Sequence, residues 1–170
     1  AGQKFGYKNG SNFGADVNPY WTVTRNTAGE GMLVPNYEGF NIINTSTGNR
    51  AISLSGWTFA FGAYFTNYMS GGNYNFSVDI FVMKEKEADA APAANYVRVT
   101  DLSEITEGSK IVIAARYNEN ANEYYALPTT IQNNIPGVAF TSTTVSEGET
   151  LPSAITDSIS KYVLTVSIDG

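Results

Sequence analysis

The chain contains neither cysteine nor histidine in its 170 residues. The first absence excludes disulfides, thiolate nucleophiles and Cys-ligated zinc or iron–sulfur sites. The second excludes an imidazole base, a Ser-His-Asp triad and His-ligated metal. Chemistry is left to carboxylates, lysine, tyrosine and hydroxyls, and no cofactor or metal is expected. Charge is sparse too, at 15%. No apolar run reaches the roughly 18 residues that mark a membrane-spanning helix. Residues 1–20 are polar and rich in Gly and Asn, so any export signal is expected to have been removed upstream. Lack of cysteine assigns no compartment, because disulfides are optional outside the cell.

What is present points to a folded chain: 42% of residues are hydrophobic, enough for a packed core at this length. The net charge of −6 is unevenly spread. Residues 1–84 hold four acids (Asp16, Glu30, Glu38, Asp79) and five bases (Lys4, Lys8, Arg25, Arg50, Lys84), a balance of +1. The remaining twelve acids and five bases leave residues 85–170 at −7. An acidic chain without a basic stripe is a poor match for a phosphate backbone, so nucleic acid is not an expected partner.

The dominant period is two, the period of a strand with one buried face. Trp21 and Val23 alternate with threonines; Trp57, Phe59 and Phe61 alternate with Thr58, Ala60 and Gly62; Tyr74, Phe76, Val78, Ile80 and Val82 alternate with Asn75, Ser77 and Asp79. The habit continues in Val97/Val99, Ile111/Ile113 and Tyr162/Leu164/Val166/Ile168. Shorter candidates are Lys4–Lys8, Gly31–Val34, Gly39–Ile43, Asn49–Ser53, Glu123–Leu127 and Val138–Ser142. About twelve short strands separated by turn residues predict an all-β barrel or sandwich. Met69 to Asn73 reads as the turn of a hairpin spanning Trp57 to Met83. Helix is confined to one turn after Asp101, which has capping-box spacing to Glu104, and a stretch from Pro152 to Ser160. Residues 85–95 carry charge, alanine and Pro92 but no aromatic or β-branched side chain. They read as a solvated linker between residues 1–84 and 96–170.

Two stretches carry a family likeness. "YVRVTDLSEITEGSKIVIAA" (96–115), followed by "TTIQNNIPGVAF" (129–140), resembles the opening of tandem all-β domains of secreted and surface-anchored proteins of Bacteroides-like bacteria. "YWTVTRNTAGEGMLVPNYEGFNIINTSTGNRAISLS" (20–55) and "YNFSVDIFVMKE" (74–85) resemble their close. The order is inverted, so residues 1–84 look like a closing half-module and 96–170 like an opening one. Either the chain joins parts of successive modules or it is one module in permuted order; uncovered strand faces favour one compact unit. In that case Lys161–Ile168 should share a sheet with Lys4–Lys8; otherwise it would be an exposed edge, liable to pair with a second copy in a strand-swapped dimer. The "NTSTGNR" turn (44–50) and threefold-like strand grouping resemble a β-trefoil, which with a closed barrel is the leading expectation; a β-sandwich is the alternative. The resemblance implies an extracytoplasmic location, secreted or on the cell surface, and leaves open a lipoprotein-anchored parent. It implies a non-catalytic role in adhesion or glycan binding.

Sixteen of the 22 aromatics lie in residues 1–84. Trp21, Trp57, Phe59, Phe61, Tyr74 and Phe76 are expected in the core from their alternation. Tyr37, Tyr64, Phe65 and Tyr68 stand at strand ends beside Asn- and Gly-rich turns, with Asn67 and Asn73 close by. Exposed rings beside amides suit a sugar, which stacks on the ring and hydrogen-bonds the amide, so a polysaccharide or host glycan is the expected partner. A structural spacer in a tandem array needs no such site. A glycoside hydrolase would need two opposed carboxylates, for which Glu30, Glu38 and Asp79 are the candidates. "RYNENANE" (116–123) lacks the arrangement of a calcium loop. Asp157-Ser158-Ile159 has the form of an O-glycosylation signal, with Ser158 as the acceptor.

Overall fold

The computed structural model describes residues 3–26, 38–84, 95–116, 123–128, 130–141, 151 and 162–163. Within the part that precedes the linker stretch the strands are β1 (Phe5–Asn9), β2 (Asn12–Ala15), β3 (Trp21–Asn26), β4 (Gly39–Asn44), β5 (Arg50–Ser55), β6 (Ala60–Phe65), β7 (Tyr74–Asn75) and β8 (Asp79–Lys84). After it come β9 (Asn95–Arg98), β10 (Lys110–Arg116), β11 (Glu123–Ala126), β12 (Ile135–Pro136), β13 (Val138–Thr141) and β14 (Tyr162–Val163). The fold is all-β. Among the described residues the helical content is two short 3-10 turns, Thr66–Gly71 and Leu102–Glu104.

β1 and β2 form a separate hairpin. The first six-stranded sheet runs β12-β6-β5-β4-β3, with β7 also on β5; the second runs β13-β11-β10-β8-β9, with β14 also on β10. Every strand pairing is antiparallel. The halves exchange strands: β8 lies in the second sheet between β10 and β9, while β12 lies on the edge of the first. Lys84 pairs with Asn95, so residues 85–94 connect two neighbouring strands of one sheet.

Both sheets contribute to one core. Phe40, Ile42, Ile52, Leu54 and Phe61 of the first meet Ile80, Val82, Ile111 and Ile113 of the second, with Phe13 of the hairpin. The alternating phase of these residues follows from the period of two. A second cluster lies on the other face of β8 and β10, where Phe81, Val112 and Ala114 pack with Tyr96, Tyr124 and Phe140. Burial on both faces explains why Phe81 in "DIFVMK" and Val112 and Ala114 in "KIVIAAR" are apolar at the intervening positions that alternation alone would leave polar. Each such fully buried aliphatic contributes about 1.5–3 kcal/mol. Two arginines tie one sheet to the other at one end. Arg98 of β9 donates to the Asp79 carboxylate at 2.9 Å and to the Glu38 carbonyl at 3.1 Å. Arg25 of β3 donates to the Thr100 carbonyl and pairs with Glu38 at 3.1 Å.

Several expectations fail here. Both large sheets are open paths among the described residues, so the closed barrel is not formed, nor the closed barrel on which a β-trefoil is built. The Trp57–Met83 hairpin is not formed either. β6 pairs with β5 and β12, whereas β8 pairs with β10 and β9. The long alternating run from Tyr74 to Val82 breaks after β7 and passes from one sheet to the other. The buried Asn75 makes this corner: its Oδ1 accepts from the Ser77 amide at 3.0 Å and its Nδ2 donates to the Arg116 carbonyl at 2.9 Å. The chain then bridges Val78 to Phe40 before entering the second sheet. There is no room for a side chain at Gly39, whose Cβ would lie 2.7 Å from both Ser77 Oγ and the Val78 carbonyl oxygen. Of the expected strand Lys161–Ile168, Tyr162 and Val163 are described; they pair with Ile111 and Lys110, in a different sheet from β1. The Gly31–Val34 strand and the Pro152–Ser160 helix lie outside the described residues. The capping box is present: Asp101 accepts from the Ser103 amide and Glu104 accepts from the Asp101 amide.

Candidate functional site

At the end of β5 the chain turns sharply. The Ser55 hydroxyl accepts from the Trp57 and Thr58 amides at 3.3 and 3.4 Å, and its carbonyl accepts from the Phe59 amide at 3.0 Å. Phe59 adopts a left-handed φ of 53° and stacks on Tyr125, ring centroids 5.2 Å apart and 11° from parallel. The turn throws Trp57 outward, leaving it 67% exposed. Trp57 and Phe59 therefore precede a strand rather than alternate within one, which corrects the core placement expected for Trp57. The other four alternating aromatics fall as a core would take them or nearly so: Phe61 and Phe76 are buried, Trp21 and Tyr74 partly.

The Gly56 amide donates to the Asn73 carbonyl at 2.9 Å and binds this turn to the segment that enters β7. That segment follows the 3-10 turn Thr66–Gly71, which Gly72 ends in the left-handed region at φ 69°, a conformation glycine adopts without strain. The two loops together form a cleft of about 400 Å³ lined by Trp57, Asn67, Tyr68, Gly71, Asn73 and Tyr74. Tyr68 and Tyr74 stack at 5.5 Å with their planes 19° apart; Trp57 meets Tyr74 edge-on at 5.7 Å and 71°. Tyr68 is 41% exposed.

Of the residues expected at a ligand site, Asn67, Tyr68 and Asn73 come together in this cleft. Tyr64 lies against Tyr74, centroids 4.4 Å apart, and packs with it against the buried Ala51 and Phe76. Burial pushes the Tyr64 phenol above its ordinary value, reinforced by Tyr74 and opposed by the Ser55 hydroxyl. Burial, then Tyr68, does the same to Tyr74. Phe65 carries the Arg50 guanidinium on its ring at 3.4 Å and meets Tyr68 edge-on, so it braces the cleft from outside. Tyr37 lies outside the described residues. Trp57 and Tyr74 are the members that alternation conceals; the Ser55-Gly56 pair ahead of Trp57, a turn signal, is what marks the exception.

Of the candidate catalytic acids, Glu38 and Asp79 do not line the cleft. Glu38 pairs with Arg25, and Asp79 is a buried partner of Arg98. Glu30, Ser158 and residues 117–122 lie outside the described residues. No group of three potential metal ligands occurs among the described residues. The cleft offers ring faces and edges, amides and phenol hydroxyls: stacking and hydrogen bonding, with no carboxylate among the described residues of its walls. Compared with known protein families, with curated proteins and with solved structures, the chain matches none.

Proposed function

We propose that this chain is a non-catalytic, β-sandwich-like module of a secreted or surface-anchored protein, and that it holds a polysaccharide or host glycan in the cleft of Trp57, Tyr68 and Tyr74. The observation that carries the reading is Trp57 itself. A large apolar ring held two-thirds in water by a turn of its own, beside a second exposed ring, is a costly arrangement that a bound partner relieves. Sugar rings present C–H faces that stack on aromatics and hydroxyls that pair with amides, and Asn67 and Asn73 supply amides at the same cleft. Of the carboxylates that could have served hydrolysis, Glu38 and Asp79 are engaged by arginines, which supports binding over cleavage. The resemblance to domains of exported bacterial proteins supports the location. Glycan-array screening followed by calorimetry tests the reading: binding is expected, weakened at least tenfold by Trp57→Ala, about 1.4 kcal/mol. A blank array across plant and host glycans would leave a structural spacer in a tandem array as the role.

A further inference from the structure

Building on the glycan reading, we infer that the cleft takes a single, uncharged, soluble glycan chain, and neither an acidic polysaccharide nor the flat face of an insoluble one. The first part rests on charge. From Ala51 to Val78 the sequence has no Asp, Glu, Lys or Arg, and this stretch supplies every described residue that lines the cleft. The cation closest along the chain, Arg50, is committed elsewhere: it lies on the Phe65 ring, stands 5.7 Å from the Tyr7 centroid and donates to the Ala63 carbonyl. Burial pushes the phenols of Tyr74 and its neighbour Tyr64 further above their ordinary value, so neither adds charge here at ordinary pH. A carboxylated or sulfated sugar would lose hydration at such walls with no cation among their described residues to offset it, and the net charge of −6 opposes its approach.

The second part rests on ring planes. Tyr74 lies nearly parallel to Tyr68 but steeply inclined to Trp57, at 19° and 71°. The two exposed rings, Trp57 and Tyr68, are therefore steeply inclined to each other. They cannot both lie flat on one extended surface. Rings set as adjoining walls contact different faces of a strand of sugar lying between them.

The test uses the whole protein with Trp57→Ala and Tyr68→Ala, both exposed positions whose loss leaves the core intact. Affinity electrophoresis and calorimetry are run with soluble neutral β-glucan, xylan and mannan, with polygalacturonate and heparin, and by pull-down on microcrystalline cellulose. Binding is expected to at least one soluble neutral polymer, reduced about tenfold or more by each variant. It should be unchanged when NaCl rises from about 0.1 to about 1 M, which shortens the Debye length from roughly 10 to 3 Å. Preference for polygalacturonate or heparin with loss at high salt, or retention on cellulose without binding to soluble chains, overturns this inference and leaves the glycan reading standing. No binding to any of the polymers overturns both.

Discussion

Single side chains set the stability of this molecule in two different ways. Asp79 is buried to 1% exposure and its charge is met by Arg98 at 2.9 Å. Removing the arginine leaves the carboxylate buried without that partner, so Arg98→Ala should cost about 3–5 kcal/mol. Denaturant titration checks this, and the Arg98→Ala/Asp79→Ala double variant should cost less than the two single changes together. The phenols act through pH. Tyr64, Tyr74 and the fully buried Tyr96 are all pushed above the ordinary tyrosine value by burial. The unfolded chain therefore releases these protons first, near pH 10, while the folded chain still holds them. Stability should be unaffected below that point and fall as pH rises from about 10 toward the folded values. Thermal melts across the alkaline range measure it; an equally steep alkaline limb in Tyr64→Phe/Tyr74→Phe would refute the assignment to these two.

Among the elements, the β7–β8 corner and the turn at Leu102–Glu104 each depend on one polar side chain. Both hydrogen-bonding ends of the Asn75 amide are used, across a separation of 41 residues on the donor side. Asn75→Leu fills the space but leaves the Ser77 amide and the Arg116 carbonyl without these bonds, at a cost of about 1–3 kcal/mol for each buried group stranded. A thermal shift without loss of the all-β circular dichroism is the expected signature. Glu104 lies below the usual carboxylate range, chiefly because the Thr100 amide donates to it, with the Asp101 amide, the Thr100 hydroxyl and Lys84 adding to the effect. Its lowered folded value means that the stabilisation is present above the unfolded value of about 4.5 and is lost as pH falls through the folded one. Glu104→Gln should make the acid limb of a stability profile shallower and leave the neutral plateau lower.

Across the whole molecule, the interleaving of the sheets predicts one cooperative transition. β8 precedes residues 85–94 yet is flanked by β9 and β10, and β12 lies on the first sheet although it comes late in the chain. Neither half retains its full set of neighbours alone. Both tryptophans lie in residues 1–84, and Trp21 packs against the shared core, so fluorescence follows one half while circular dichroism follows both. The two probes should give coincident denaturation curves. Separated midpoints would show two independently unfolding units.

Local chemistry alone determined a good deal of this protein. The period of two located β1, β4, β5, β11 and β13 to within a residue or two, and the Asp101–Glu104 spacing placed its capped turn, because side-chain alternation and capping act over a few neighbouring residues. Asn67, Tyr68 and Asn73 stood out for the same reason, as polar and aromatic residues around a glycine turn. Partnership between distant strands is another matter. Alternation reads the same in an open sheet and a closed barrel, and it fails where β8 and β10 bury both faces. Nor does it show that the run from Tyr74 to Val82 bends, because the bend depends on Asn75 reaching Arg116. The cleft belongs to the same class. Trp57 and Tyr74 face it only because the Ser55 turn and the Gly56–Asn73 hydrogen bond bring two loops together. Such a contact is decided by which surfaces the folded sheets hold side by side, a property that no short window of the chain contains.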